Sequence, residues 1–452
     1  MTAVDLENVP GSPPGPRDPR LQVRVLSSAF IGTTVEWYDF YLYGTAAALI
    51  FNTQFFPAHS AVAGTLGAFA TFAVGFIARP VGGIVAGHLG DRIGRKAILV
   101  ASLITMGAAS TAIGLLPTYE SIGVLAVFGL VLLRLLQGLA CGAEWGGSAL
   151  LSVEHAPRGM RGFFGSFTQV GSAAGMLLAT GSFAIVQALT TTEQFEAFGW
   201  RLPFLASSVL VVVGIIIRAG ITDAPAFRAL KAEDRVEKAP LTQVLRHHRR
   251  ALLITIGLRL AQPGLFAILA IYLISYLDHR RGDASSGVTA VLIGSAIGLA
   301  SGPLWGALSD RVGRKPLAVA SIIGIAVFIW PFFAFLDAGP IVALPLMMIL
   351  GMNILHDSIY GPQAAWFAEQ FPLSVRYTGV SVGCQVGTVL SGGLTPVIAA
   401  SLLLAGHDTP WLICLYITAL CALSLVAALA AKDPVRDRSI DPLTIDDFEE
   451  TR

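Results

Sequence analysis

Glu36, Asp39, Arg134, Glu144, Arg259, His356 and Asp357 each lie well inside a long apolar stretch of this chain. An ionisable side chain in hydrocarbon is costly unless it faces a cavity or a partner, so these are the positions where chemistry is to be sought. Glu36 and Asp39 are three residues apart, which puts both carboxylates on one face of a helix. Two charges there would repel, and the pair favours keeping a proton. Arg134 and Arg259 are fixed cations suited to a carboxylate, whether on a ligand or elsewhere in the protein. His356 titrates near neutral pH, and Asp357 beside it is a rival carboxylate for the same proton. Plainer readings stand next to these: an internal ion pair for Arg134 and Glu144, a hydrogen-bonded packing residue for His356. Tyr38, Gln137, Gln169, Asn353 and Gln385 can bond a ligand or bridge helices.

The elements that hold these residues follow from composition. The 452 residues are 54% hydrophobic and 13% charged, with a mean hydropathy of +0.70. That is more apolar surface than a soluble core can hide, so the lipid bilayer is the natural solvent. Closing each apolar run at the next polar or Pro/Gly cluster predicts an all-α chain with twelve membrane-spanning helices. The first six lie near 24–51, 62–85, 97–116, 121–150, 163–189 and 200–219. The second six lie near 251–276, 287–308, 317–336, 341–366, 377–404 and 411–431. These spacings divide the chain into a disordered tail (1–23), one half (24–220), a polar central loop (221–250), a second half (251–431) and a short tail (432–452).

Residues 1–20 are rich in Pro and Gly and lack an apolar h-region, so a cleaved signal is not expected. Lys and Arg outside the spans gather at one set of ends, which predicts that both termini and the central loop face the cytoplasm. With a net charge of +1 and no single basic patch, a nucleic-acid partner is not expected. Cys141, Cys384, Cys414 and Cys421 have no paired spacing and read as packing residues, and neither a cofactor nor a metal is expected.

Two cytoplasmic motifs recur. Gly87 to Lys96 reads GHLGDRIGRK, and Gly306 to Lys315 reads GALSDRVGRK, 306 − 87 = 219 residues later. Glu154 to Arg161 (EHAPRGMR) is echoed by Glu369 to Arg376 (EQFPLSVR), 369 − 154 = 215 residues later. Offsets this close describe parallel repeats about an axis along the membrane normal. Basic charge alone would anchor topology, but it does not require the same Gly and Asp spacing twice. The predicted role is a conformational latch of Gly87, Asp91, Arg92, Gly94, Arg95, Asp310, Arg311, Gly313 and Arg314, with Glu154, Arg161, Glu369 and Arg376. Asp91 and Asp310 would accept hydrogen bonds from arginines or from a helix N-terminus of the other half.

On these motifs the chain resembles the major facilitator superfamily. Further stretches, GTTVEWYDFYLYG from Gly32, ARPVGGIVAGHLGDRIGRK from Ala78, RLLQGLACGAEWGG from Arg134 and GWRLPF from Gly199, are similar to its metabolite:proton symporter family. Members of that family carry shikimate, 2-oxoglutarate, citrate or proline and betaine. The tail after Lys432 departs from the osmosensory members, which end in a coiled coil. The resemblance implies a membrane transporter, not an enzyme, working as a monomer with a small-molecule substrate and a proton as partners.

With the residues above, the expected activity is proton-coupled uptake of a small organic acid such as shikimate or a dicarboxylate. Asp39, Glu36, Asp357 and His356 are the candidates for the proton. Arg134, Arg259, Gln137, Gln169, Tyr38, Asn353 and Gln385 are the candidates for the substrate. Uptake of a zwitterionic compatible solute, uncoupled facilitation and proton-driven export are the alternatives. No P-loop motif that would mark a primary pump occurs in the chain.

Overall fold

The computed structural model describes residues 19–56, 71, 74–86, 89, 95–157, 159–219 and 240–436, and it contains no strand among them. In the N-terminal half the helices are α1 (Pro19–Ala46), α2 (Val74–Ala86), α3 (Arg95–Leu115), α4 (Val124–Glu154), α5 (Arg161–Leu189) and α6 (Arg201–Ala219). In the C-terminal half they are α7 (Arg249–Arg281), α8 (Ala284–Val312), α9 (Arg314–Ala338), α10 (Ile341–Ala368), α11 (Leu373–Ala405) and α12 (Trp411–Ala430). Several helices run a few residues past the expected spans, carrying the charged motifs just beyond the apolar zone. Leu253, Val327, Leu404 and Val426 remain exposed, as suits lipid-facing surfaces.

Lipid supplies no hydrophobic drive between helices, so close backbone approach through small residues does the packing. A Cβ added to Gly142 of α4 would collide with the Arg79 carbonyl of α2, one on Gly138 with the Gly75 carbonyl, and one on Gly82 with the Leu139 carbonyl. A Cβ on Gly171 or Gly175 of α5 would come within 2.6 Å of Thr33 or Tyr38 of α1. The halves meet where α5 packs on α8 and α10, and where α11 packs on α4. At the α5–α8 crossing a Cβ on Gly162 would lie 2.5 Å from the Gly306 carbonyl oxygen.

Four of these helices carry irregular turns, three within the helix and one at its end. Widened π turns occupy Ala47–Phe51 at the end of α1, Ile268–Tyr272 in α7, Ile349–His356 in α10 and Val389–Gly393 in α11. Such turns redirect side chains and recur at functional sites. Helix α7 is further interrupted between Leu258 and Ala261.

Candidate functional site

Pro263 explains the interruption in α7. It has no N–H to give and its ring crowds the carbonyl four residues earlier, that of Arg259. The freed groups find other partners: the Arg259 carbonyl accepts from Ser391 Oγ (3.3 Å), while Ser424 Oγ donates to the Gly257 carbonyl (2.7 Å) and accepts from the Ala261 N–H (2.9 Å). The turn delivers the Arg259 side chain to the interface between the halves. Its Nε donates to Thr388 Oγ1 (2.9 Å) and its Nη1 to Gln363 Oε1, while Cζ lies 5.4 Å from the Trp145 ring of α4 and 5.5 Å from that of Tyr360. No carboxylate among the described residues lies within ion-pair distance of this guanidinium.

One turn along, Gln262 Nε2 lies 2.5 Å from His356 Nε2, and Gln262 Oε1 has no donor. The pair is satisfied when Gln262 presents that oxygen to an Nε2–H of His356. His356 Nδ1 then meets Asp357 Oδ1 at 2.8 Å, a contact that needs a proton on one side or the other. Asp357 Oδ2 accepts from Ser301 Oγ and from Asn353 Nδ2 (3.2 Å). The α10 π turn therefore places a proton-sharing His–Asp pair beside Arg259.

In the N-terminal half, Asp39 is fully buried and its Oδ1 accepts from Ser207 Oγ of α6 at 2.5 Å, while Oδ2 has no hydrogen-bond partner. Glu36 Oε1 accepts the Cys141 thiol of α4 at 2.6 Å, so the two acids, three residues apart, are engaged by different helices. Cys141, expected as mere packing, thus serves as a donor. Arg134 lies within electrostatic reach of Asp39 and stacks on Tyr43, with Cζ 4.1 Å from the ring centroid. Its Nη1 donates to Gln137 Oε1 (3.1 Å), whose Nε2 donates to Ser110 Oγ (2.6 Å). Gly75 makes room for it, since a Cβ there would sit 2.6 Å from Arg134 Nε.

Two adjoining clefts lie between the halves and share Ser172, Phe266, His356 and Tyr360 in their walls. The first is also lined by Gln169, Asn353 and Asp357, the second by Arg259, Gln262 and Thr388. Asp39, Glu36, Arg134, Gln137, Tyr38 and Gln385 line neither. Tyr38 points to α6, its hydroxyl donating to the Pro203 carbonyl (2.7 Å). Gln169 bridges the halves, accepting from Trp145 Nε1 (2.9 Å) and donating to the Tyr360 carbonyl (3.1 Å), and Gln385 Nε2 reaches the Gly142 carbonyl (3.4 Å).

Sequence reasoning passed over Arg79. It is 3% exposed, and its Cζ lies 4.6 Å from the rings of Phe40 and Phe76 and 5.5 Å from that of Trp37. The available signal was a single arginine inside the expected span 62–85, in ARPVGG.

At the ends of α5, α8 and α10 the second motif forms a network across the halves. Asp310 accepts from the backbone N–H groups of Gly162 (2.8 Å) and Phe163 (2.9 Å) at the start of α5, and its Oδ1 pairs with Arg314 Nη2 at 2.7 Å. Arg314 also reaches Glu369 Oε1 (3.3 Å), and Arg376 reaches Glu154 Oε1 (3.5 Å) in the other half. Arg161 opens α5 within electrostatic reach of Glu369, whose burial pushes its carboxyl above the usual range while Arg314 pulls it down. Gly313 sits at φ +100°, a conformation open to glycine, and turns the chain into α9, whose first N–H groups are capped by Asp433 (3.2 and 3.0 Å). Arg311 is exposed. In the first copy, Gly87, Asp91, Arg92 and Gly94 lie outside the described residues, as does the Arg95 side chain, although Arg95 begins α3.

Twelve helices in two matched halves, nine or ten of them long and apolar enough to cross a membrane among the described residues, with buried charges around clefts between the halves, fit a multi-pass secondary transporter, not an enzyme. The chain belongs to the Major Facilitator Superfamily, whose pattern it matches over residues 29–385. It is 39% identical over 416 residues to the shikimate transporter of Escherichia coli (strain K12), covering 91% of this chain and 95% of that protein. It is also 39% identical to the inner membrane metabolite transport protein YhjE of the same organism, covering 90% and 93%. The glycine betaine/proline/ectoine/pipecolic acid transporter OusA of Dickeya dadantii (strain 3937) is 32% identical, covering 92% and 84%. In fold it is similar to the proton:xylose symporter XylE bound to 6-bromo-6-deoxy-D-glucose, with a TM-score of 0.74 at 18% identity, covering 92% of this chain and 97% of that one.

Proposed function

We propose that this transporter takes up a small organic acid together with protons, by rocking of residues 24–220 against 251–431 as a monomer, with both termini cytoplasmic. The observation that carries this reading is Arg259: a guanidinium in a cleft between the halves, held by the neutral groups of Thr388 and Gln363 and free of any described carboxylate. A substrate carboxylate replaces those neutral partners with a charge-assisted, bidentate one. The similarity to a shikimate transporter supports a carboxylic acid as cargo.

Asp39 is the proton carrier in this account, with Arg134 as the neighbouring countercharge. A buried carboxyl with one oxygen lacking a donor suits the neutral acid, and Arg134 stabilises the anion once the proton leaves. His356 and Asp357 share a second proton at the cleft wall. The Asp310 and Glu154 contacts keep the halves together on the cytoplasmic side, acting as the latch of the cycle.

Uptake by proteoliposomes under an inward proton gradient tests the reading, with radiolabelled shikimate, 2-oxoglutarate and glycine betaine offered separately. Saturable accumulation of an acid that collapses with a protonophore is expected. Accumulation of betaine alone would replace the acid with a zwitterion, and accumulation that ignores the gradient would end the coupling claim.

A further inference from the structure

Arg79 and Arg259 come from opposite halves: Arg259 lines a cleft between them, and Arg79 stands behind that cleft's far wall, which is formed by the three rings that hold it, those of Trp37, Phe40 and Phe76. Cys384 lies within electrostatic reach of both guanidiniums, which ties them to one neighbourhood. Among the described residues Arg79 makes no hydrogen bond or ion pair, and the carboxylate that shares its neighbourhood is Glu36, which acts with it on Tyr41, Cys141 and Cys384. A cation this buried is expensive without a countercharge, and aromatic faces offset only part of that cost. Rings stacked on the guanidinium engage its faces and leave its N–H edge, the part that forms paired bonds with a carboxylate.

We propose that Arg79 is a substrate-binding residue: it takes a carboxylate of the ligand from the N-terminal half while the ligand's other oxygens rest on Arg259 of the C-terminal half. This rests on the proposed organic-acid function and narrows it. The ligand is a carboxylate with a second acid group or hydroxyls at its far end, and by joining two cations that otherwise repel it becomes the link on which the halves close.

The experiment measures shikimate and 2-oxoglutarate uptake in proteoliposomes, together with thermal stabilisation of the purified protein by each acid, for the wild type and for Arg79→Gln, Arg79→Lys and Phe76→Leu. Arg79→Gln is expected to raise KM about tenfold or more and to abolish stabilisation by the acid. Arg79→Lys keeps the charge without the fork and should recover part of the affinity; Phe76→Leu, which keeps the arginine and loosens its cage, should raise KM by a smaller factor. If Arg79→Gln does not fold, the last two variants decide. Wild-type KM in the variants that fold, with the wild type responding to an acid, would overturn this inference and leave the proposed function standing. A wild type that neither transports nor is stabilised by any carboxylate would end both.

Discussion

Two buried acids in this chain have opposite surroundings. Asp357 has both oxygens engaged, by His356, Ser301 and Asn353, as an anion requires, while Asp39 accepts from Ser207 at Oδ1 with the Ser110 hydroxyl close by and has no described hydrogen bond at Oδ2. Environments that differ in this way separate the roles of like groups. The Asp39→Asn variant, which mimics the neutral acid, should therefore lose proton-driven accumulation while keeping substrate counterflow within about twofold of wild type. Full accumulation in that variant would move coupling to His356 and Asp357. The candidate acids and Arg259 were legible in the sequence because charge inside an apolar run is conspicuous. Which of them face the cleft was not legible. The ring under Arg134 and the carbonyl that Tyr38 reaches come from other helices, and the cage of Arg79 forms only when α1 packs beside α2.

At the scale of elements, glycines set how closely α2 and α4 cross. Gly142→Val pushes a branched side chain into the Arg79 carbonyl, and overpacking of this kind costs about 1–3 kcal/mol or more. It should lower the melting temperature of the purified protein and displace Arg79; an unchanged melting temperature and KM would show that the crossing has slack. The proposed latch is a second element-scale device. Asp310 stabilises the positive end of α5, an interaction worth about 0.3–2 kcal/mol, and also neutralises Arg314. Asp310→Ala should open the cytoplasmic side, seen as faster alkylation of a cysteine introduced at Ser166, with slower transport and unchanged substrate binding. Loss of binding without faster alkylation would assign the loop to the site instead. The sequence predicted the helix N-terminus as one partner of Asp310. It did not reveal the cap that Asp433 places on α9, since no local pattern links positions so far apart. The break at Arg259 is explained by Pro263, although that proline carried no weight in the sequence reading.

For the whole molecule, repetition made the architecture readable: two motif pairs at offsets of 219 and 215 residues define matched halves, and the helices begin and end near the expected spans, apart from α2, of which Val74–Ala86 is described. The clefts were beyond such reading, because they depend on how the halves meet. Gln169 and Gln385 illustrate this, as each spends its amide on the opposite half. A transporter that closes around an anion between Arg79 and Arg259 and carries protons at Asp39 must move charge and cargo together. The most direct test is a pH electrode in a weakly buffered suspension of de-energised proteoliposomes, with shikimate added outside. Alkalinisation of the medium that rises with substrate entry, and disappears in Asp39→Asn, is the predicted result. Substrate entry with no proton movement would contradict the account.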